Sequence, residues 1–174
     1  MIRPIVLHPD ARLKKKSVEV EGITDALIEL AEDMMETMYH APGIGLAAPQ
    51  IGVLQRVIVM DCAKKEDEEP DPIVMVNPLI KASSEEKNVY EEGCLSIPEH
   101  FAEVTRPELV QVEWIDLEGK QHSEEFNGLK STCVQHEIDH LNGKLFIDYL
   151  GPIKRQMITR KMQKFKREKL RGSE

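Results

Sequence analysis

The sequence predicts an α+β domain in which antiparallel or mixed β-sheets surround a central helix, with a further helix towards each end of the chain. Three observations predict it. An amphipathic stretch lies near the N-terminus, a long block rich in β-formers follows, and two helical stretches close the chain, the first of them carrying H-E-x-x-H. Helices and strands in separate runs mark an α+β arrangement rather than an alternating one. A chain of 174 residues, 41% of them hydrophobic, suits a single domain (1–174) with a sizeable core.

Thr24 can cap a first helix over residues 24–39, whose apolar face carries Leu27, Leu30, Ala31, Met34, Met35 and Met38. Residues 41–50 (APGIGLAAPQ) have too little side-chain bulk for an ordinary strand and too much Gly and Pro for a helix. Residues 56–61 (RVIVMD) read as a buried strand, and 64–72 (KKEDEEPDP) as an exposed, acidic loop. From 73 to 126 the pattern is strand-like, with Val74, Val76, Val89, Val104, Val110, Val112, Trp114 and Ile115 as β-formers. Within it, 109–117 and 120–126 flank Glu118-Gly119 as a hairpin. A second helix over 129–141 is stopped by Asn142-Gly143. A third, basic helix over 152–170 begins with Pro in its first turn.

The formal net charge of −8 argues against a DNA-seeking molecule, but the charge is uneven. Residues 151–174 hold 9 Lys/Arg against 2 Asp/Glu, whereas residues 1–150 hold 14 against 29. Such asymmetry can mark a basic arm with its own partner, phosphate-rich RNA being the partner it favours. Three cysteines, Cys62, Cys94 and Cys133, give no disulfide framework and suit a reducing compartment. Near the N-terminus only Ile5-Val6-Leu7 is apolar, flanked by Pro4, His8 and Pro9, which predicts neither a signal peptide nor a membrane span. The expected location is the cytoplasm.

The sharpest chemical signal is His136-Glu137-Ile138-Asp139-His140. On a helix, His136 and His140 lie one turn apart on one face, so both imidazoles can reach one ion, and Glu137 can hold a water as general base. Cys133, His136, Glu137 and His140 share a stripe of the helix, and buried groups of that kind are costly without partners. For the third ligand, the metzincin position after Gly143 is Phe146, which binds no metal, and the later glutamates, Glu168 and Glu174, sit in the basic tail. Cys133 is about 10 Å along the helix axis from His140. Cys62 has no supporting motif. That leaves Cys94, in Glu92-Gly93-Cys94-Leu95-Ser96. Cys/His/His leaves one position open, as a catalytic site requires, whereas a structural site would be closed by a fourth ligand. His8, His40, His100 and His122 lie in turn-like or polar contexts and supply none. From ligand types alone the metal would be zinc.

Taken together, Gly43-Ile44-Gly45-Leu46-Ala47-Ala48-Pro49-Gln50, Glu92-Gly93-Cys94-Leu95-Ser96 and Gln135-His136-Glu137-Ile138-Asp139-His140 resemble the three signatures of the peptide deformylases, in order and spacing. The resemblance runs from the first residues into the C-terminal helix. It implies an enzyme that removes the N-formyl group from the initiator methionine of nascent polypeptides. It implies Cys94, His136 and His140 as metal ligands, with Fe(II) as the ion and Zn, Ni or Co able to replace it. It also implies Glu137 as acid/base, and Gln50 with the Leu95 backbone N–H as oxyanion donors. Gly43, Ile44 and Gly45 would line up an extended peptide, and Ile44, Leu129 and Cys133 would line the methionine slot. Thr132 and Phe101 depart from some relatives, which carry Ile and Arg there. Glu92 and Arg106 are expected to pair and steady the Cys94 loop. Some relatives dock on the ribosome through a similar basic helix, which makes the ribosome a candidate partner and a membrane none. The competing expectations are an H-E-x-x-H metallopeptidase and a structural metal site in a ribosome- or RNA-binding module.

Overall fold

The computed structural model describes residues 1–63 and 68–172 and is an α+β fold. Residues 64–67 of the expected acidic loop lie outside the described residues; 68–72 are exposed. Three α-helices, α1 (Asp25–His40), α2 (Gly128–Leu141) and α3 (Pro152–Gly172), combine with seven strands. The strands are β1 (Gly45–Ala47), β2 (Val57–Met60), β3 (Ile73–Ser83), β4 (Lys87–Cys94), β5 (Ile97–Pro107), β6 (Leu109–Ile115) and β7 (Gln121–Asn127).

β1-β2-β3-β6-β7 form one sheet and β4-β5 a separate hairpin. All these pairings are antiparallel, so the mixed alternative drops out, apart from an isolated parallel bridge between Val18 and Gln55. The excursion of β4-β5 between β3 and β6 lets those two strands pair directly.

Alternation along β2 builds the core on both faces of the larger sheet. Ile58 and Met60 face α2, packing with Cys133, Val134, Ile138 and Leu141. Val57 and Val59 face α1, packing with Leu27, Leu30, Met34 and Met38. All four β2 residues are fully buried, and each contributes roughly 1.5–3 kcal/mol of hydrophobic stabilisation. Thr24 caps α1 as its sequence predicts, its hydroxyl accepting from Leu27 N–H at 3.2 Å. A third cluster joins Leu13, Ile97 and Val104 to Phe146, Ile147, Ile158 and Met162, so α3 is part of the core rather than a detached arm.

One expectation is corrected. Residues 41–50, expected to be neither an ordinary strand nor a helix, contain the short edge strand β1 and run into a 3-10 turn at Ala48–Ile51. Their small side chains fit a layer closed by α1 on one side and α2 on the other. α2 is buried around its circumference from Ser131 to Ile138, and the stripe of Cys133, His136, Glu137 and His140 is buried with it. Contacts with strands of both sheets account for this. No helix among the described residues is long and apolar enough to cross a membrane.

α2 is tied down at both ends. Gln135 Nε2 and Ser131 Oγ donate to the Pro107 carbonyl at 3.0 and 3.2 Å. At the C-terminus, Leu141 O accepts from Ser17 N–H at 2.8 Å and from Arg56 Nη1 at 3.0 Å. Gly143 leaves the helix at φ 75°, and a Cβ there would run into the Lys14 carbonyl oxygen. Gly143→Ala is therefore expected to lower the unfolding free energy by about 2 kcal/mol. Urea unfolding followed by circular dichroism checks this, and an unmoved midpoint would show that the turn relaxes without cost.

Candidate metal centre and cavity

Three segments distant in sequence meet at one cavity. α2 supplies His136, Glu137 and His140; the end of β4 supplies Glu92, Gly93 and Cys94; the 3-10 turn after β1 supplies Gln50. β4 and β5 are joined through Leu95-Ser96, with a register shift between Gly93 and Cys94 that turns the thiol out of the ladder. The N-terminal segment pins two of these pieces together. Val6 N–H donates to Gln50 O at 2.7 Å and His8 N–H to Ser96 O at 2.9 Å.

One donor atom each from Cys94, His136 and His140 falls within 4.8 Å of the others. The Cys94 Sγ–His140 Nε2 separation is 3.4 Å. Among the described residues the group has these three members. The chemistry of the donors fits a divalent metal. Glu92 Oε1 accepts from His136 Nδ1 at 2.9 Å, which leaves the lone pair on Nε2. Burial, reinforced by the neighbouring His136, drives the His140 imidazole well below its ordinary pKa and keeps it in the neutral, ligating form.

Glu92 is itself held by Arg106, with Nε to Oε2 at 2.7 Å and Nη2 to Oε1 at 3.0 Å. Arg106 Nη1 also donates to Asp139 Oδ2 at 2.8 Å, and Tyr149 OH donates to the same oxygen at 2.7 Å. The expected Glu92–Arg106 pair is thus present, but sequence reading missed its extension to Asp139 and Tyr149. The signal was available for Asp139, which stands three residues from His136 and therefore near the same helix face. His8 stands in a turn, as its sequence context predicts, but it is also buried against α3, with Nε2 2.8 Å from Thr159 Oγ1.

Glu137 is 3% exposed and its Oε1 has no hydrogen-bond partner. Burial pushes its carboxyl up to about 7, so it can change protonation near neutral pH. Gln50 is locked by Ala47 N–H, which donates to Oε1 at 2.9 Å. Its Nε2 then points at Cys94 Sγ (3.4 Å) and Ser96 Oγ (3.1 Å). A cavity of about 510 Å³ opens in front of these groups. Gly43, Ile44, Gly45, Gln50, Cys94, Leu95, Leu129, Cys133, His136 and Glu137 all line it, together with Thr132 and Phe101. His140 is 1% exposed and sits behind, in contact with the Cys94 sulfur. Gly45 is required by the close approach of β1, because a Cβ there would lie 2.5 Å from Glu137 Oε2.

Residues 2–156 match the family described as polypeptide deformylase. The chain is 55% identical over 163 residues to the peptide deformylase of Rhizobium meliloti (strain 1021), covering 94% of this chain and 93% of that one. The fold is similar to the crystal structure of peptide deformylase from Ehrlichia chaffeensis, with TM-score 0.92, 38% identity and coverage of 98% and 99%. It is also similar to a peptide deformylase from Legionella pneumophila, with TM-score 0.89, 47% identity and the same coverage.

Arg106→Ala strands two carboxylates, one of them 5% exposed. Breaking a buried ion pair from one side costs about 3–5 kcal/mol. Loss of the support behind a ligating histidine is expected to weaken metal binding by about 10–100-fold. Chelator competition on the folded variant, with metal read by elemental analysis, checks this; unchanged retention would sink the role given to Arg106.

Proposed function

This chain belongs to the polypeptide deformylase family, and we propose that its cavity removes the formyl group from N-formyl-methionyl peptides through the residues gathered there. The single observation that carries the assignment of roles is the convergence of Cys94, His136, His140, Glu137 and Gln50 at the head of one cavity. Cys94, His136 and His140 would hold one divalent ion, Fe(II) by preference, with Zn, Ni or Co acceptable to a thiolate and two imidazoles. When bound, that ion supplies Lewis acidity to a water and to the carbonyl oxygen of the substrate.

The rest is the work of side chains and backbone. Glu137 takes the proton of the attacking water and returns it to the departing amine nitrogen as the formyl C–N bond breaks. A carboxyl poised near pH 7 can do both. Gln50 Nε2 and the Leu95 N–H stabilise the negative charge that develops on the formyl oxygen. Ala47 N–H holds the Gln50 amide in the orientation that offers its N–H outward. Gly43, Ile44 and Gly45, on the edge strand, align an extended peptide by strand addition. Ile44, Leu129 and Cys133 form the methionine slot. The substrate is a nascent chain, which places the reaction in the cytoplasm.

Formate release from a short N-formyl-methionyl peptide by the Fe(II)-loaded, anaerobic protein tests this. Glu137→Ala is expected to lower the rate by about 10²–10⁴-fold, and an N-acetyl-methionyl peptide to be cleaved poorly. No formate from protein with stoichiometric metal would remove the reading.

The outer face of α3 would contact ribosomal RNA. Removing 152–174 is not a clean test, because Ile158 and Met162 are buried in the core. Replacing the exposed Lys161, Lys164 and Arg167 by Gln is expected to weaken ribosome co-sedimentation and flatten its salt dependence while leaving peptide turnover intact. Equal sedimentation at every salt concentration would exclude this face.

A further inference from the structure

Cys62 and Cys133 are free thiols on neighbouring elements, one just past the end of β2 and one in α2. Ile58 and Met60 alternate towards α2, and Cys62 continues that row, packed against the cluster that contains Cys133. The two thiols are close enough to perturb each other, Cys133 drawing the Cys62 pKa down and Cys62 driving that of Cys133 up. Cys133 Sγ also lies 3.6 Å from the Ile44 carbonyl, which accepts the N–H of Asp61, the residue before Cys62, at 2.9 Å. The end of β2, the approach to β1 and α2 are therefore gathered at one point on the cavity floor.

We propose that Cys62 and Cys133 are a redox pair, oxidised by a peroxide to a disulfide that ties β2 to α2 beneath the cavity and reopened by a thiol reductant. Cys62 is half-buried and can meet the peroxide, whereas Cys133 is 4% exposed and can only resolve. The Cys62 sulfur attacks the O–O bond, giving a sulfenic acid and one water. The Cys133 sulfur then attacks the Cys62 sulfur, the S–O bond breaks and a second water leaves. Two thiols lose two electrons and two protons, and the peroxide gains both. The neighbouring Cys133, opposed by burial and aided by Lys130, holds the Cys62 thiol below its ordinary pKa, which favours attack. Cys133 lines the cavity and precedes Glu137 by one helical turn, and its sulfur would sit 3.0 Å from a Cβ at Gly45. Moving that sulfur therefore alters the floor on which the substrate rests.

The test treats nickel-loaded protein, whose ion does not consume the oxidant as Fe(II) would, with stoichiometric hydrogen peroxide, alkylates the remaining thiols and maps peptides by mass spectrometry. The expected product is a linked pair containing Cys62 and Cys133, two hydrogens lighter than its parts. It is reversed by dithiothreitol and absent from Cys62→Ser and Cys62→Ala. Formate release by the wild type falls several-fold and returns on reduction, while both variants keep their basal rate after the same dose. Cys133 recovered alkylated, or linked to Cys94, overturns the pair. Equal loss of rate in the variants overturns its control of the cavity. The linkage is read by mass alone, so its failure is distinct from failure of the deformylase reading, on which only the formate arm rests.

Discussion

Arg106 lies in β5 with 3% of its surface exposed and donates to carboxylates on two other elements, Glu92 of β4 and Asp139 of α2. Burial alone would lower its pKa, but the two carboxylates overcome this and leave it above its ordinary value. A buried ion pair is weak evidence for stability, because desolvation offsets most of the attraction. Its geometric consequence is larger. The pair fixes how the β4-β5 hairpin sits against α2, and Glu92 passes that registration to His136 Nδ1 at 2.9 Å. Cys94 follows Glu92 by two residues, so the same contact brings its thiol beside His140. The Gln135 and Ser131 bonds to Pro107 O tie the same hairpin to α2 further along, and Arg106 adds the tie nearest the ligand-bearing atoms.

The second constraint is space. β1 must pass close to α2 for its edge to face the cavity, and Glu137 fills the gap where a Gly45 side chain would be. Glu137 is left with an unpartnered Oε1 in a nearly dry position. A buried carboxyl without partners costs several kcal/mol of solvation in most settings. A fold that keeps one breaks a local rule, and such exceptions concentrate at functional sites. Gln50 shows the opposite case, its amide oxygen satisfied by Ala47 N–H and its nitrogen directed at Cys94 Sγ and Ser96 Oγ.

Local signals carried the elements they could encode. The Thr24 cap, the apolar spacing of α1, the hydrophobic run of β2, the β6-β7 hairpin and the Gly143 stop are all short-range features, and each stands where the sequence puts it. The α2 motif was legible because i, i+4 spacing is itself geometry. What escaped was set by tertiary packing. β1 looked like a bare Gly-rich segment because its burial comes from α1 and α2 rather than from its own side chains. The neighbouring of β3 and β6 depends on the whole β4-β5 hairpin being set aside, which no window of sequence records. Asp139 and Tyr149 were passed over because a polar residue on a helix ordinarily reads as a solvated one. The burial of His8 escaped because the turn that carries it is covered by α3, whose Thr159 lies 151 residues later in the chain.

The C-terminal helix separates two roles that its composition seemed to merge. Its basic residues suggested an arm, yet Ile158 and Met162 close the cluster that also receives Ile97 and the half-buried Cys94. Thr159 holds His8 and Lys166 Nζ reaches Leu7 O, so the helix also clamps the N-terminal segment. That segment in turn holds Ser96 and Gln50 through backbone bonds. The inner face of α3 therefore supports the cavity from behind, while Lys161, Lys164 and Arg167 lie exposed on the outside. A partner that grips only the outer face leaves this packing undisturbed. The outer charge of α3 and the packing behind the cavity can therefore be altered independently of one another.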